Sequence, residues 1–235
     1  VSAERPQLVR VGHRGAAAIA PENTIASFDA ALAAGVDMIE FDVLAEHPDG
    51  GGELFVVHDY GALRRDGAPT LSDVLAHLST PAFDAVRLQV DLKRSGYEER
   101  LIEALEGARV LGRSFLSTGE WRSITRVRSL APGLALGWTV ADIGHMNAIP
   151  LVSHTLGRAS RNALARTAAD RIRAGAIDAL VPQWRLVTRR LVDAVRDAGG
   201  ELYTWTVDDA AEIRRLAALG VTGVITNDPR LFALS

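Results

Sequence analysis

Hydrophobic and polar positions along this chain switch between two periods. Runs at 8–12, 36–43, 53–59, 86–93, 114–118, 134–140, 177–182, 201–207 and 223–226 are short, apolar or alternating, and bounded by turn residues. They read as strands. Between them, 23–34, 70–78, 97–111, 120–130, 159–174, 188–198 and 209–219 repeat apolar residues at helical spacing, as Ile25, Phe28 and Leu32 do. Asn23 or Thr24 can cap the first helix, Thr70 and Asp73 are spaced as a capping box, and Gly35, Gly199 and Gly220 stand where helices end. About eight strand–helix units in 235 residues predict an α/β fold, a (β/α)8 TIM barrel, with residues 1–235 as one domain. The competing fold is an open doubly wound sheet. It is disfavoured because "GHRGAA" after the first strand lacks the third glycine of a phosphate loop.

The alternation also says which way side chains point. In "MIEFDV", Ile39, Phe41 and Val43 share one face, and Met38, Glu40 and Asp42 the other. If the apolar face meets the helices, both carboxylates lie inside the barrel. "LQVDLK" repeats the pattern, with Gln89, Asp91 and Lys93 inward. Barrel interiors are normally filled by branched apolar residues. Carboxylates there need a partner or a cation. Oxygen ligands favour a hard divalent cation, Mg²⁺ or Ca²⁺. The bland alternative is that Glu40 or Asp42 simply pairs with Lys93 or Arg14.

Composition narrows the chemistry. Hydrophobic residues are 48% and charged residues 23%, with a net charge of -3. That gives no basic field for nucleic acid. No apolar run approaches a membrane span. The absence of cysteine excludes thiolate nucleophiles and Cys-ligated metals. The polar start "VSAERPQ" carries no signal-peptide pattern, so a cytoplasmic location is expected. Of six histidines, His13 follows the first strand and His58 ends "LFVVHD". Both positions suit the catalytic face of a barrel, where imidazole can move protons near neutral pH. His47, His77, His145 and His154 lack that setting and read as surface or structural. Arg14 and Lys93 add cations suited to phosphate oxygens. A cation site, two imidazoles and two basic side chains together suggest transfer at a phosphate.

These residues fall in "GHRG" (12–15), "PENT" (21–24), "GVDMIEFDV" (35–43), "VVHD" (56–59), "PTLSDVL" (69–75), "VDLK" (90–93), "YTWTVDD" (203–209) and "GVTGVITNDP" (220–229). In this order, over nearly the whole chain, they resemble the glycerophosphodiester phosphodiesterase family. The resemblance implies a TIM barrel that hydrolyses glycerophosphodiesters to an alcohol and glycerol 3-phosphate, within lipid and glycerol metabolism. It implies His13 and His58 as the acid–base pair and Glu40, Asp42 and Asp91 as metal ligands. Arg14 and Lys93 would sit at the phosphate, with Trp205 lining the pocket. Glu22 and Asn23 would brace the His13 loop, and Gly15 would let the backbone pass close to the ligand.

Two departures stand out. Asp91 replaces the family's usual Glu, shortening the reach by about 1.5 Å. The cation is then expected to bind there through a water, or more weakly. The insertion that usually separates "HD" from "PTL" is reduced to "YGALRRDGA" (60–68). Part of the rim should be missing and the mouth more open, with Arg64 or Arg65 and the irregular stretch 141–160 as rim candidates. Direct attack by water and attack by the substrate's own hydroxyl, giving a cyclic phosphate, both stay open. Two other readings compete. A glycosidase would use paired carboxylates, although two inward histidines and Lys93 argue against it. A weakened barrel that only binds phosphate-containing ligands would fit Asp91 and the lost insertion.

Overall fold

Eight parallel strands close on themselves, and helices cover the outside. The computed structural model describes residues 7–65, 67–141 and 153–234, with backbone alone for 153–160. In chain order the elements are β1 (Val9–Gly12), α1 (Ile25–Ala33), β2 (Met38–Ala45), β3 (Leu54–Phe55), α2 (Tyr60–Leu63), α3 (Leu71–Leu78), β4 (Arg87–Leu92), α4 (Glu98–Gly107) and β5 (Ser114–Thr118). Then come α5 (Trp121–Leu130), β6 (Ala135–Val140), α6 (Ser153–Arg173), β7 (Ala179–Pro182), α7 (Arg189–Asp197), β8 (Glu201–Thr204), α8 (Ala210–Leu219) and β9 (Gly223–Thr226). Strand β1 closes the ring: it pairs β2 at Val11↔Met38 and β9 from Val9↔Gly223 to Gly12↔Thr226. No helix among the described residues is long and apolar enough to cross a membrane.

The expected strand at 53–59 is not a barrel stave. Only Leu54–Phe55 forms strand, and it runs antiparallel to the end of β2, with Leu44↔Phe55 and Ala45↔Leu54 in register. The reason is the length of the connection. A parallel neighbour needs a crossover of a dozen or more residues, whereas "HPDGGGE" can only turn back. His58 therefore does not follow a barrel strand. Helix α6 also starts earlier than expected, at Ser153. Its first turns, "SHTLGR", hold one large apolar residue, so apolar spacing could not reveal them.

Two apolar layers form. Ile39, Phe41, Val43, Leu88, Val90 and Leu92 face outward into the layer under the helices, as alternation required. A small inner cluster of Val11, Met38, Phe115, Ala179, Val181, Tyr203 and Ile225 packs inside the barrel. Its apolar packing gives way to polar side chains toward the C-terminal ends of β2 and β4. Caps hold the helices in place: Thr24 forms a reciprocal pair with Ser27, and Thr70, Thr188 and Asp209 each accept a first-turn N–H. Helix α8 ends on Gly220 at φ 85°, a conformation that favours glycine.

Candidate active site

Register builds the floor of the site. Glu40 lies opposite Gln89, Asp42 opposite Asp91, and Asp91 opposite Ser117 of β5. Glu40, Asp42, Gln89 and Asp91 are all buried. One carboxylate oxygen from each of Glu40, Asp42 and Asp91 lies within 4.8 Å of the others, an arrangement able to hold a metal ion. Asp91 thus reaches the cluster despite its shorter side chain. Its Oδ1 accepts from Ser117 Oγ at 2.8 Å and Thr139 Oγ1 at 3.3 Å, and its Oδ2 from Lys93 Nζ at 2.7 Å.

Two cations face the acids. Lys93 Nζ is also 2.7 Å from Asp42 Oδ1, and Arg14 Nε is 3.0 Å from Asp42 Oδ2. Burial alone would raise Asp42, but Lys93 and Arg14 outweigh it and hold the carboxyl down at about 2. Glu40 goes the other way: burial, then the charges of Asp42 and Asp91, push it well above the usual carboxylate range. Burial opposes the Lys93 charge, yet the surrounding Asp91, Asp42 and Glu40 raise it above its ordinary value. The cluster thus carries more acid than its two fixed cations neutralise.

The segment after β1 forms one wall. Arg14 and Asn23 both adopt positive φ, 50° and 59°, and Gly15 follows at 84°. Arg14 N donates to Glu40 Oε2 at 2.9 Å, and its Nη1 to Glu22 Oε2 at 2.6 Å. Asn23 clasps Asp42 twice, giving its Nδ2 to Oδ2 and receiving the Asp42 N–H. Glu22 and Asn23 therefore do brace this loop. Gly15 has a different job from the one expected. A Cβ there would lie 2.6 Å from the Ser27 carbonyl carbon and 2.7 Å from its oxygen, against α1 and away from the cavity. Gly15→Ala is therefore expected to cost about 1–3 kcal/mol by overpacking, in addition to the positive-φ penalty. Urea unfolding checks this; a midpoint equal to the parent's would refute the contact.

His13 is mostly buried, and its Nε2 lies 3.8 Å from Glu40 Oε2. Burial and then the Arg14 charge lower its pKa. His58 is carried back to the mouth by the segment after β3, with its side chain 41% exposed and Nδ1 3.3 Å from Asp59 Oδ2. Trp205 is anchored by Nε1 donating to Val181 O at 2.9 Å. His13, Arg14, Glu40, Asp42, His58, Asp91, Lys93 and Trp205 all line one cavity of about 90 Å³. The expected acid–base, phosphate, metal and pocket-wall residues are thus all in it.

The other expectations divide. Arg64 and Arg65 are exposed and do not line the cavity. Residues 142–152 of the proposed rim, His145 among them, lie outside the described residues, as does the side chain of His154. His77 is structural: it pairs with Asp29 at 2.7 Å and packs edge-on to Phe83. Sequence reading assigned nothing to Asn227, whose Oδ1 is 2.6 Å from His13 Nδ1, or to Asp208 behind it. The available signal was "ITNDP" directly after a strand, where barrels place functional side chains.

The glycerophosphoryl diester phosphodiesterase family profile matches residues 13–65 and 57–231. The chain belongs to that family. It is accordingly a phosphoric diester hydrolase of the glycerophosphodiester phosphodiesterase type. The two matched pieces overlap at 57–65, where the shortened connection follows His58. A glycerophosphodiester phosphodiesterase of Caldanaerobacter subterraneus subsp. tengcongensis is 26% identical, over 93% of this chain and 93% of that protein. One from Bacillus subtilis is 25% identical, over 96% and 85%. The fold is shared with an Oleispira antarctica phosphodiesterase solved with the product sn-glycerol-3-phosphate. The TM-score is 0.72 at 21% identity, covering 98% of this chain and 96% of that one.

Proposed function

We propose that this phosphodiesterase hydrolyses glycerophosphodiesters to an alcohol and glycerol 3-phosphate with a divalent cation, Mg²⁺ or Ca²⁺. The observation that carries the reading is the convergence of three carboxylates, two imidazoles and two fixed cations on one small cavity. Glu40, Asp42 and Asp91 fit a hard cation: all donors are oxygen, all are buried, and three carboxyl groups face two fixed cations. When bound, the cation stabilises charge on the non-bridging phosphate oxygens.

The chain's own groups do the rest. Arg14 and Lys93 orient the phosphate through charge-assisted hydrogen bonds. Of His13 and His58, one takes the proton of the attacking oxygen and the other returns a proton to the departing alcohol. Trp205 gives a flat wall, fixed by its bond to Val181. About 90 Å³ is small beside the roughly 300 Å³ of sites that enclose a whole ligand. The cavity suits the phosphodiester group and leaves the alcohol half at the mouth.

The test is a panel of glycerophosphodiesters and bis-p-nitrophenyl phosphate, with EDTA and with added Mg²⁺ or Ca²⁺. Release of glycerol 3-phosphate, lost with EDTA and restored by one of the cations, is the expected result. If no diester is cleaved under any metal, the reading fails.

A further inference from the structure

We infer that Asp208 and Asn227 are positioning residues that fix the tautomer of His13, so that every proton His13 exchanges passes through Nε2. The inference deepens the acid–base role proposed above and rests on it for its catalytic consequence.

Asp208 lies beyond β8, and Asn227 directly follows β9. The Asp208 carboxylate accepts three hydrogen bonds: Oδ1 from Asn227 N at 2.8 Å and Thr226 Oγ1 at 2.9 Å, and Oδ2 from Asn227 Nδ2 at 2.7 Å. An ionised carboxylate can only accept. The Asn227 atom facing it must therefore be the NH₂, which leaves Oδ1 for His13 Nδ1 at 2.6 Å. An amide oxygen also only accepts, so Nδ1 carries the proton. The bond on one ring nitrogen decides what the other can do. In the neutral ring the lone pair is then on Nε2, on the side of Glu40 and the cavity. Main-chain bonds hold the pieces together: His13 N donates to Thr226 O, and Ala18 N to Asn227 O.

The chain of donors predicts a reversal. In Asp208→Asn the new amide offers an N–H to Asn227. The Asn227 amide then turns, presents its own NH₂ to His13, and moves the ring proton to Nε2. The double variant D208N/N227D restores the original direction, because the carboxylate now faces His13 and accepts from Nδ1.

Two-bond ¹H–¹⁵N correlation spectra of histidine-labelled protein at pH 8 with EDTA report the tautomer, and His13→Gln identifies the signal. The parent is expected as the Nδ1–H form, Asp208→Asn as mainly Nε2–H, and D208N/N227D as Nδ1–H again. In parallel, Asp208→Asn should lower kcat at least about tenfold, since a wrong tautomer disables a catalytic histidine. KM should stay within about twofold, and the double variant should recover most of kcat. An Nε2–H parent, or an Asp208→Asn protein with an unmoved tautomer, overturns the inference. A moved tautomer with unchanged kcat overturns its catalytic consequence. A parent with the expected tautomer that cleaves no diester leaves the positioning intact and sinks the proposed function instead.

Discussion

Alanine at His13 or at His58 is expected to lower kcat at least about a hundredfold. Neither change should unfold the protein. The His58 side chain is 41% exposed, and the His13 ring is held by a side-chain hydrogen bond to Asn227. Melting temperatures near the parent's, with rates far below it, are the expected pair of results. The two variants should also differ by substrate. A p-nitrophenolate leaves without needing a proton, so losing the acid harms bis-p-nitrophenyl phosphate cleavage less than glycerophosphodiester cleavage. Losing the base harms both alike. The histidine whose removal spares the activated substrate is the acid, and a variant that keeps near-full rates on both has no part in the chemistry.

Asp42→Asn is the second large effect. Asp42 meets Lys93, Arg14 and Asn23 at once, and it belongs to the carboxylate cluster. Losing the cation's stabilisation of the transition state, on the order of 4 kcal/mol, corresponds to about a thousandfold in kcat/KM. Stability should respond differently. Removing one partner of an isolated buried pair costs about 3–5 kcal/mol. Here Glu40 and Asp91 remain to face Arg14 and Lys93, so metal-free protein should lose much less. Ligand binding stabilises by about 3 kcal/mol at a hundredfold excess over Kd. The parent's melting temperature should therefore rise with Ca²⁺ or Mg²⁺, and the variant's should not. An equal rise in both would remove Asp42 from the candidate metal site.

The alternation in "MIEFDV" and "LQVDLK" made the floor of the site readable, because a strand has a period of two and the apolar face can go only one way. His13 and Arg14 were readable for a similar reason: they directly follow the first strand. The placement of His58 was not. "ELFVVHD" has the composition of a stave, and only the shortness of the turn before it shows that it folds back over β2. For Gly15 the sequence suggests the ligand side, because glycine next to a candidate catalytic residue suggests close approach. The packing that demands it is with Ser27, twelve positions on. Asn227 and Asp208 escaped because their meaning lies in a contact across the closed barrel, and no local period encodes that.

The bond between His13 and Asn227 spans 214 positions of sequence. It sits where β1 meets β9, the seam at which the barrel closes. The pairing of β1 with β9 is thus also what brings Asn227 to the His13 ring. The carboxylates of β2 and β4 meet within neighbouring strands, whereas the His13 ring takes its partner from the far end of the chain.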